Sequence, residues 1–383
     1  MNRGIKGLHR LAATLTALSM AVMLAGCTSQ SSAATTTNAT ATATARSEET
    51  STAATTASAS AAPSDSSSAE TTAEASTSAS GTVELVDQSF KIGIMQLVEH
   101  NALDAAKQGF VDGLAALGIV EGQNLTIDFE NAQNDQSNAQ TIAQQFAADT
   151  DIDLVLAIAT PVAQAAVNAI TDRPILVTAV TDPAASGLVE SNDAPGGNLT
   201  GTSDLNPVKE QMQLLTELVP DAKTVGIMYS SSEANSEVQA KLAETEAQAL
   251  GLETEIFTAS ASNEIQQVVE SAVGKVDALY IPTDNTFASS MAIVGQVAEE
   301  AKLPVIAGEE NMMEAGALAT VSLDYYKLGQ QTADMAYEIL VNGKDPATMP
   351  IEYQSDPVLA INQDFADAIG LTIPDSILAE VGK

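Results

Sequence analysis

"KIGIMQLVEHNAL", residues 91–103, and "TVGIMYSSSEANS", residues 224–236, are two versions of one phrase. Each runs from a short apolar stretch through a polar turn into a helix-length segment. Gly93 and Gly226 hold the same place in the two copies. The same offset carries "ALGI" (116–119) onto "ALGL" (249–252) without a gap. Internal repetition sets an architecture before any local reading does. Two copies at this long spacing do not make a solenoid; they predict two similar lobes.

Behind the first copy, Leu103, Ala106, Phe110, Leu114 and Leu117 recur at steps of three and four. That is the stripe of a helix lying on a core, closed by Gly118. "NLTIDFENA", "DIDLVLAIA" and "RPILVTAVTDP" read as strands, the last two almost continuously apolar, as in a sheet covered on both faces. "SNAQTIAQQFAADT" and "PVAQAAVNAIT" read as helices, the second with Pro161 in its first turn. After "SDLNP" the second copy restarts the alternation, down to a strand "GALATVSL", a helix "YYKLGQQTADMAYEILVNG" and the final "MPIEYQ" and "VLAINQDFADAIG". Strands alternating with helices predict βαβ units and parallel sheets. The expected fold class is therefore α/β: two doubly wound, Rossmann-like lobes joined by a hinge. "GGNLTG" (196–201) lacks the Lys-Ser/Thr of a nucleotide-binding loop and reads as a hairpin or hinge-approach turn.

The ends of the chain carry a different text. Arg3, Lys6 and Arg10 precede an apolar stretch from Leu11 to Ala25, shorter than the ~20 residues that cross a bilayer and shaped like a signal peptide. It ends in "LAGC", Leu24–Cys27, the pattern that lipidates a bacterial lipoprotein, and Cys27 is the sole cysteine of the 383 residues. Residues 28–82 are almost all Ser, Thr and Ala, too poor in apolar bulk to fold, and read as a tether. The formal charge of −35 argues against nucleic acid and against docking on anionic lipid. His9 and His100 are the only histidines, so no His/Cys metal site is expected and no cofactor. His100 has no evident triad partner and GxSxG is absent, so no enzyme is expected.

Doubly wound lobes bind ligands beyond the carboxyl ends of their strands, and two lobes facing across a hinge make a cleft that closes on a small molecule. In the first lobe those ends carry Gln96, Glu99, His100 and Asn101, then Thr160 and Pro161, then Thr178 and Asp182. In the second they carry Ser231, Ser232, Glu233, Asn235 and Ser236, then Asp284 and Asn285, then Glu309. Walls rich in oxygen and amide suit a zwitterion. Thr160, before a helix start, is the candidate for a carboxylate; Asp182, Asp284 and Glu309 are candidates for an ammonium. Competing structural roles are open for several of them: Asp182 before Pro183 as a turn cap, Asn235 or Ser236 as a helix cap, Glu233 as a solvated acid, His100 as a packed loop residue. Tyr325 and Tyr326 are read as hinge or core residues.

The stretches "VEHNALD" (98–104), "FENAQND" (129–135), "AIATPVAQAA" (157–166), "TAVTDPAASGLVES" (178–191), "GGNLTGTSD" (196–204), "YSSSEANSEVQ" (229–239), "YIPTDNTFASS" (280–290) and "GALATVSLDYYKLGQQTADMA" (316–336) occur in this order. Together they resemble the ABC-importer substrate-binding lipoproteins of the tryptophan/tyrosine (TrpX-like) type. The resemblance implies the type I periplasmic-binding-protein fold, an aromatic amino acid as ligand, a partner permease with a separate ATPase subunit, a monomer, and an extracytoplasmic site at the membrane, anchored by Cys27. Three interlobe crossings, by the same analogy, place lobe I at 88–205 plus 324–345 and lobe II at 206–323 plus 346–383, behind a signal segment 1–26 and a lipid-anchored, disordered tether 27–87. The absence of Trp and the few Phe and Tyr leave a branched-chain amino acid or another small solute open as ligand. A sensor feeding a membrane receptor is the alternative to transport.

Overall fold

A computed structural model of the chain describes residues 84–382, all within one compact unit. The signal segment, Cys27 and the tether as far as residue 83 lie outside the described residues. The tether drawn to residue 87 ends earlier than expected. Val86 N–H donates to Gly118 O at 3.0 Å and Val86 O accepts from Asn124 Nδ2 at 2.9 Å, which fixes this segment to the first lobe.

In the first lobe β1 (Phe90–Gln96), α1 (Asn101–Ala116), β2 (Leu125–Asn131), α2 (Gln136–Ala148), β3 (Leu154–Ile158), α3 (Thr160–Ala169), β4 (Ile175–Val180) and β5 (Leu199–Ser203) follow one another. The chain then passes to the second lobe with α4 (Val208–Leu218), β6 (Thr224–Ser230), α5 (Ala234–Ala249), β7 (Glu253–Ala259), α6 (Ile265–Ala272), β8 (Ala278–Ile281), α7 (Asn285–Ala288), α8 (Met291–Ala301), β9 (Val305–Ala307) and β10 (Ala319–Ser322). The tail supplies α9 (Tyr325–Leu340), β11 (Glu352–Tyr353), β12 (Val358–Ile361), α10 (Gln363–Ile369) and α11 (Asp375–Leu378).

The first sheet has the order β11-β5-β4-β3-β1-β2 and is parallel throughout. The second has the order β12-β10-β9-β8-β6-β7, with β12 antiparallel at its edge. β1 and β6 hold equivalent places, each beside the point where the winding reverses and a crevice opens. The repeated glycine has a packing cause: a Cβ on Gly93 would lie 2.9 Å from the Phe146 ring, and one on Gly226 2.9 Å from Leu279 Cδ2. Each lobe closes its own apolar core, with Ile92, Phe110 and Leu156 deep in one and Ile227, Tyr280 and Phe287 in the other.

α9 returns to the first lobe and packs on α1. Contact is so close that a Cβ on Gly329 would sit 2.0 Å from Ala106 O. β11 pairs with β5, Glu352 to Thr202 and Tyr353 to Ser203. The start of the tail expected in lobe II is thereby corrected: Glu352 and Tyr353 add a strand to the first sheet, and the last crossing lies between Tyr353 and Val358. "GGNLTG" is corrected as well. It leads into β5, inside the sheet, where Gly201 at φ +149 brings the backbone against Val177. The three crossings are tied sideways. Asn206 Oδ1 accepts from Leu323 N–H at 2.9 Å. Gln354 donates to Asp324 O at 2.7 Å and accepts from Asp324 N–H at 3.1 Å.

Candidate functional site

Between the lobes a narrow cavity is bounded by His100, Ala102 and Leu103 from the start of α1, Ala179 from β4, Asp204 and Tyr325 from the crossings, and Asn235, Thr283, Asp284, Asn285, Ala288, Glu309 and Met312 from the second lobe. It lies where the strand order predicts, beyond the carboxyl ends. The backbone is strained at Ala179, which lines the cavity, and at Ala159, just before α3: φ is +54 and +90, conformations that alanine rarely holds outside functional sites. At Ala179 the strain goes with a break in the β4–β5 register between Val177 and Val180, a bulge that re-aims the chain at the site.

The acids divide by what satisfies them. Asp284 is saturated: Oδ2 accepts from Ser230 N–H at 2.6 Å and Oδ1 from Phe287 N–H at 2.8 Å, capping α7. Burial, and then the neighbouring Glu233, push its pKa up. Glu233 is also saturated. Its Oε1 accepts from Thr286 N–H and O–H at 2.9 and 2.7 Å, and its Oε2 from Asn285 Nδ2 at 2.5 Å. Asp204 and Glu309 are each half satisfied. Asp204 Oδ2 accepts from Tyr325 Oη at 2.8 Å and Glu309 Oε2 from Asn311 N–H at 2.6 Å, while Asp204 Oδ1 and Glu309 Oε1 have no partner among the described residues. Burial pushes Asp204 up to about 6 and Glu309 up to about 7. Asn235 donates to Thr283 O at 3.0 Å and leaves its Oδ1 unpartnered. Three buried acceptors thus line one cavity whose wall contains no Lys or Arg.

Two other candidates from the sequence, His100 and Asn101, bridge the lobes. His100 Nε2 donates to Asn285 Oδ1 at 3.2 Å, which leaves Nδ1 without a partner; burial pushes the imidazole pKa down. Asn101, exposed, donates to Glu314 at 2.9 Å. Thr160 is buried at the first turn of α3 with its hydroxyl unpartnered, next to buried Pro161. Ser236 is buried against Asn235 and Asp284.

The remaining candidates lie elsewhere. Asp182 is a turn cap: its Oδ1 accepts from Ala185 N–H and Asn192 Nδ2 at 3.0 and 2.9 Å, off the cavity. Gln96 donates to Val98 O and Asp104, and Thr178 is buried in the sheet beside Thr202. Glu99, Ser231 and Ser232 are exposed; Ser232 bonds Ser230 in its own loop at 2.8 Å, and Ser231 donates to Ala259 O at the end of β7 at 3.3 Å. Sequence reasoning misses Asp204, places Thr283 at a strand end beside Asp284 without making it a ligand residue, and gives Tyr325 to the hinge or core. Asp204 follows β5 as the other candidates follow their strands, but it stands in "SDLNP", the link at which the second copy restarts. Sequence reasoning misses Gln239 and Asn134 too, which reach across the cleft to Thr181 at 3.0 Å and Thr286 at 3.1 Å. Their signal is weak, since both are amides inside or beside ordinary helices.

Known proteins bear on this geometry. The chain is 45% identical over 280 residues to a tyrosine-binding protein of Clostridioides difficile, covering 73% of this chain and 81% of that one. It superposes on a Streptococcus pneumoniae ABC domain in complex with L-Trp with a TM-score of 0.75 at 40% identity, covering 77% of this chain and 99% of that one. Against the ligand-free, open structure of a Clostridium difficile substrate binding protein with adhesive properties, identity rises to 48% but the TM-score falls to 0.59, over 75% and 96% of the two chains. The fit is thus better to the L-Trp complex than to the open structure, although the identity to the latter is higher. The fold is that of type I periplasmic binding proteins, and residues 91–383 match the family model "ABC transporter substrate binding protein". The chain belongs to the ABC transporter substrate binding protein family.

Proposed function

We propose that this substrate-binding protein captures one zwitterionic aromatic amino acid, tyrosine or tryptophan, in the interlobe cavity and passes it on unchanged. The observation that carries the reading is the trio of buried acceptors without donors: Asp204 Oδ1, Asn235 Oδ1 and Glu309 Oε1. A primary ammonium has three N–H donors and no acceptor, and hydrogen bonds to an ionised group are the strong ones. Donors for the carboxylate come from the first turns of α1 and α3, neither of which has a side-chain cap, and from the Thr160 hydroxyl. Leu103, Met312, Ala288 and the Tyr325 ring give the side chain an apolar wall. The names of the tyrosine-binding relative and the L-Trp complex support the same ligand class.

The ligand touches both lobes only when they close, so it shifts the equilibrium toward the closed form. That form is what a membrane permease, driven by a separate ATPase, reads. Cys27 carries the lipid that holds a monomer outside the membrane, and no cofactor or catalysis enters. The test uses the absence of Trp from the chain. The purified protein is unfolded and its released small molecules are excited where tyrosine hardly absorbs; wild-type protein is also titrated with L-Tyr, L-Trp, L-Phe and L-Leu. Dialysable indole emission, or heat with Tyr or Trp above Leu, is expected. A dark fraction with heat from none of the aromatic amino acids overturns the ligand class.

A further inference from the structure

Tyr325 is the first residue of α9, directly after the second crossing, and is 3% exposed. Its ring bounds the cavity and its hydroxyl donates to Asp204 Oδ2 at 2.8 Å. The same hydroxyl lies 3.4 Å from Asn206 Nδ2, which also reaches Thr283 Oγ1 at 3.3 Å. Asn206 Oδ1 in turn accepts from Leu323 N–H. One phenol therefore touches both a carboxylate facing the cavity and the side chain that stitches the first crossing to the second.

We propose that Tyr325 is the positioning residue of the ammonium site: its hydroxyl engages Asp204 Oδ2, leaves Oδ1 for the ligand, ties that contact to the hinge, and lets ligand capture expel a proton from Asp204. The assignment rests on the amino-acid reading above. A donor to the ionised carboxylate favours ionisation, whereas burial opposes it. Around Asp204 stand Tyr325 of α9, Thr181 at the end of β4 and Glu309 after β9. Asp284 after β8 and His100 of α1 line the same cavity. None of these is a permanent cation, and burial disfavours the charged form of His100. The ligand's ammonium supplies the positive charge. Its arrival stabilises the Asp204 carboxylate, and the proton leaves to buffer.

Titration calorimetry of the full chain with L-tyrosine, from pH 5.5 to 8 in two buffers of different ionisation heat, tests this. Wild type is expected to release protons on binding, with the Asp204 component near pH 6 and a Glu309 component nearer 7. Tyr325→Phe keeps the ring. It is expected to bind on the order of tenfold or more weakly and to move the Asp204 component to higher pH. Asp204→Asn is expected to lose that component. Weaker binding by Tyr325→Phe with an unmoved proton-release profile would mean that only packing was lost, and the assignment falls. Should Tyr325→Phe not fold, proton release by Asp204→Asn equal to wild type overturns it independently. No heat from wild type with tyrosine or tryptophan overturns the ligand reading, and this assignment with it.

Discussion

Asn285 Nδ2 lies 2.5 Å from Glu233 Oε2, and the same Asn285 accepts from His100 across the cleft at 3.2 Å. Glu233 sits at the turn after β6, inside the phrase that the sequence repeats, and it acts by holding others. It fixes the first turn of α7, whose Thr286 takes the hydrogen bond from Asn134 of the first lobe. Two of the contacts that close the lobes therefore depend on one buried carboxylate that does not line the cavity.

Glu233→Gln replaces acceptors by an NH₂ that faces the donors of Asn285 and Thr286. The expected loss is about 3 kcal/mol of unfolding free energy, together with weaker ligand binding. Urea denaturation and calorimetry on the same preparation check it; binding unchanged from wild type would show that the α7 turn is not needed for closure.

Asp204 and Glu309 make the ligand-free protein sensitive to pH. Their folded pKa values, about 6 and about 7, lie above the ordinary 3.8 and 4.5. The folded state therefore binds more protons than the unfolded one between these limits. The associated stability is full below about pH 4, falls as the pH rises, and is gone above about 7. Asp204→Asn and Glu309→Gln mimic the protonated forms. Each is expected to melt above wild type at pH 7.5, by on the order of 3 kcal/mol, and close to wild type at pH 4.5. Melting temperatures over this range, without ligand, provide the check.

On the proposed reading, the acceptor trio takes the ligand's ammonium. Replacing tyrosine by its des-amino analogue, 3-(4-hydroxyphenyl)propionate, leaves buried carboxylates facing an apolar carbon. Affinity is expected to fall on the order of a thousandfold or more, with a smaller loss for Thr160→Val binding tyrosine itself. Competition calorimetry measures both; equal affinity for the des-amino analogue contradicts the ammonium site.

The hinge is held laterally by Gln354, which exchanges two hydrogen bonds with Asp324. Gln354→Ala is expected to widen the range of lobe angles and raise the ligand-free radius of gyration by small-angle scattering. The ligand-bound radius is expected to stay near wild type, because the contacts across the cleft remain. A ligand-free radius equal to wild type would assign the hinge geometry to Asn206 and Tyr325 alone.

Much of this molecule is written locally. A helix announces itself by apolar residues every three or four places, and a covered parallel strand by a run such as "LVLAI". Alternation of the two makes parallel sheets, and the repeated "GIM" phrase makes two of them. Positions beyond strand ends follow from the same rule, which is why His100, Asn235, Asp284, Asn285 and Glu309 were all legible as cleft residues before any coordinates.

The tertiary structure decided which of these groups is left with something to bind. Asp182, Glu233, Asp284 and Glu309 are alike in sequence, each an acid after a strand. Asp182 closes a turn, Glu233 and Asp284 exhaust their oxygens on α7, and Glu309 keeps one oxygen free beside Asp204. That partition depends on donors from residues up to 121 positions away, as with Tyr325 and Asp204. Backbone periodicity is fixed by neighbours in the chain, whereas the satisfaction of a buried oxygen is fixed by whatever the fold brings within 3 Å of it.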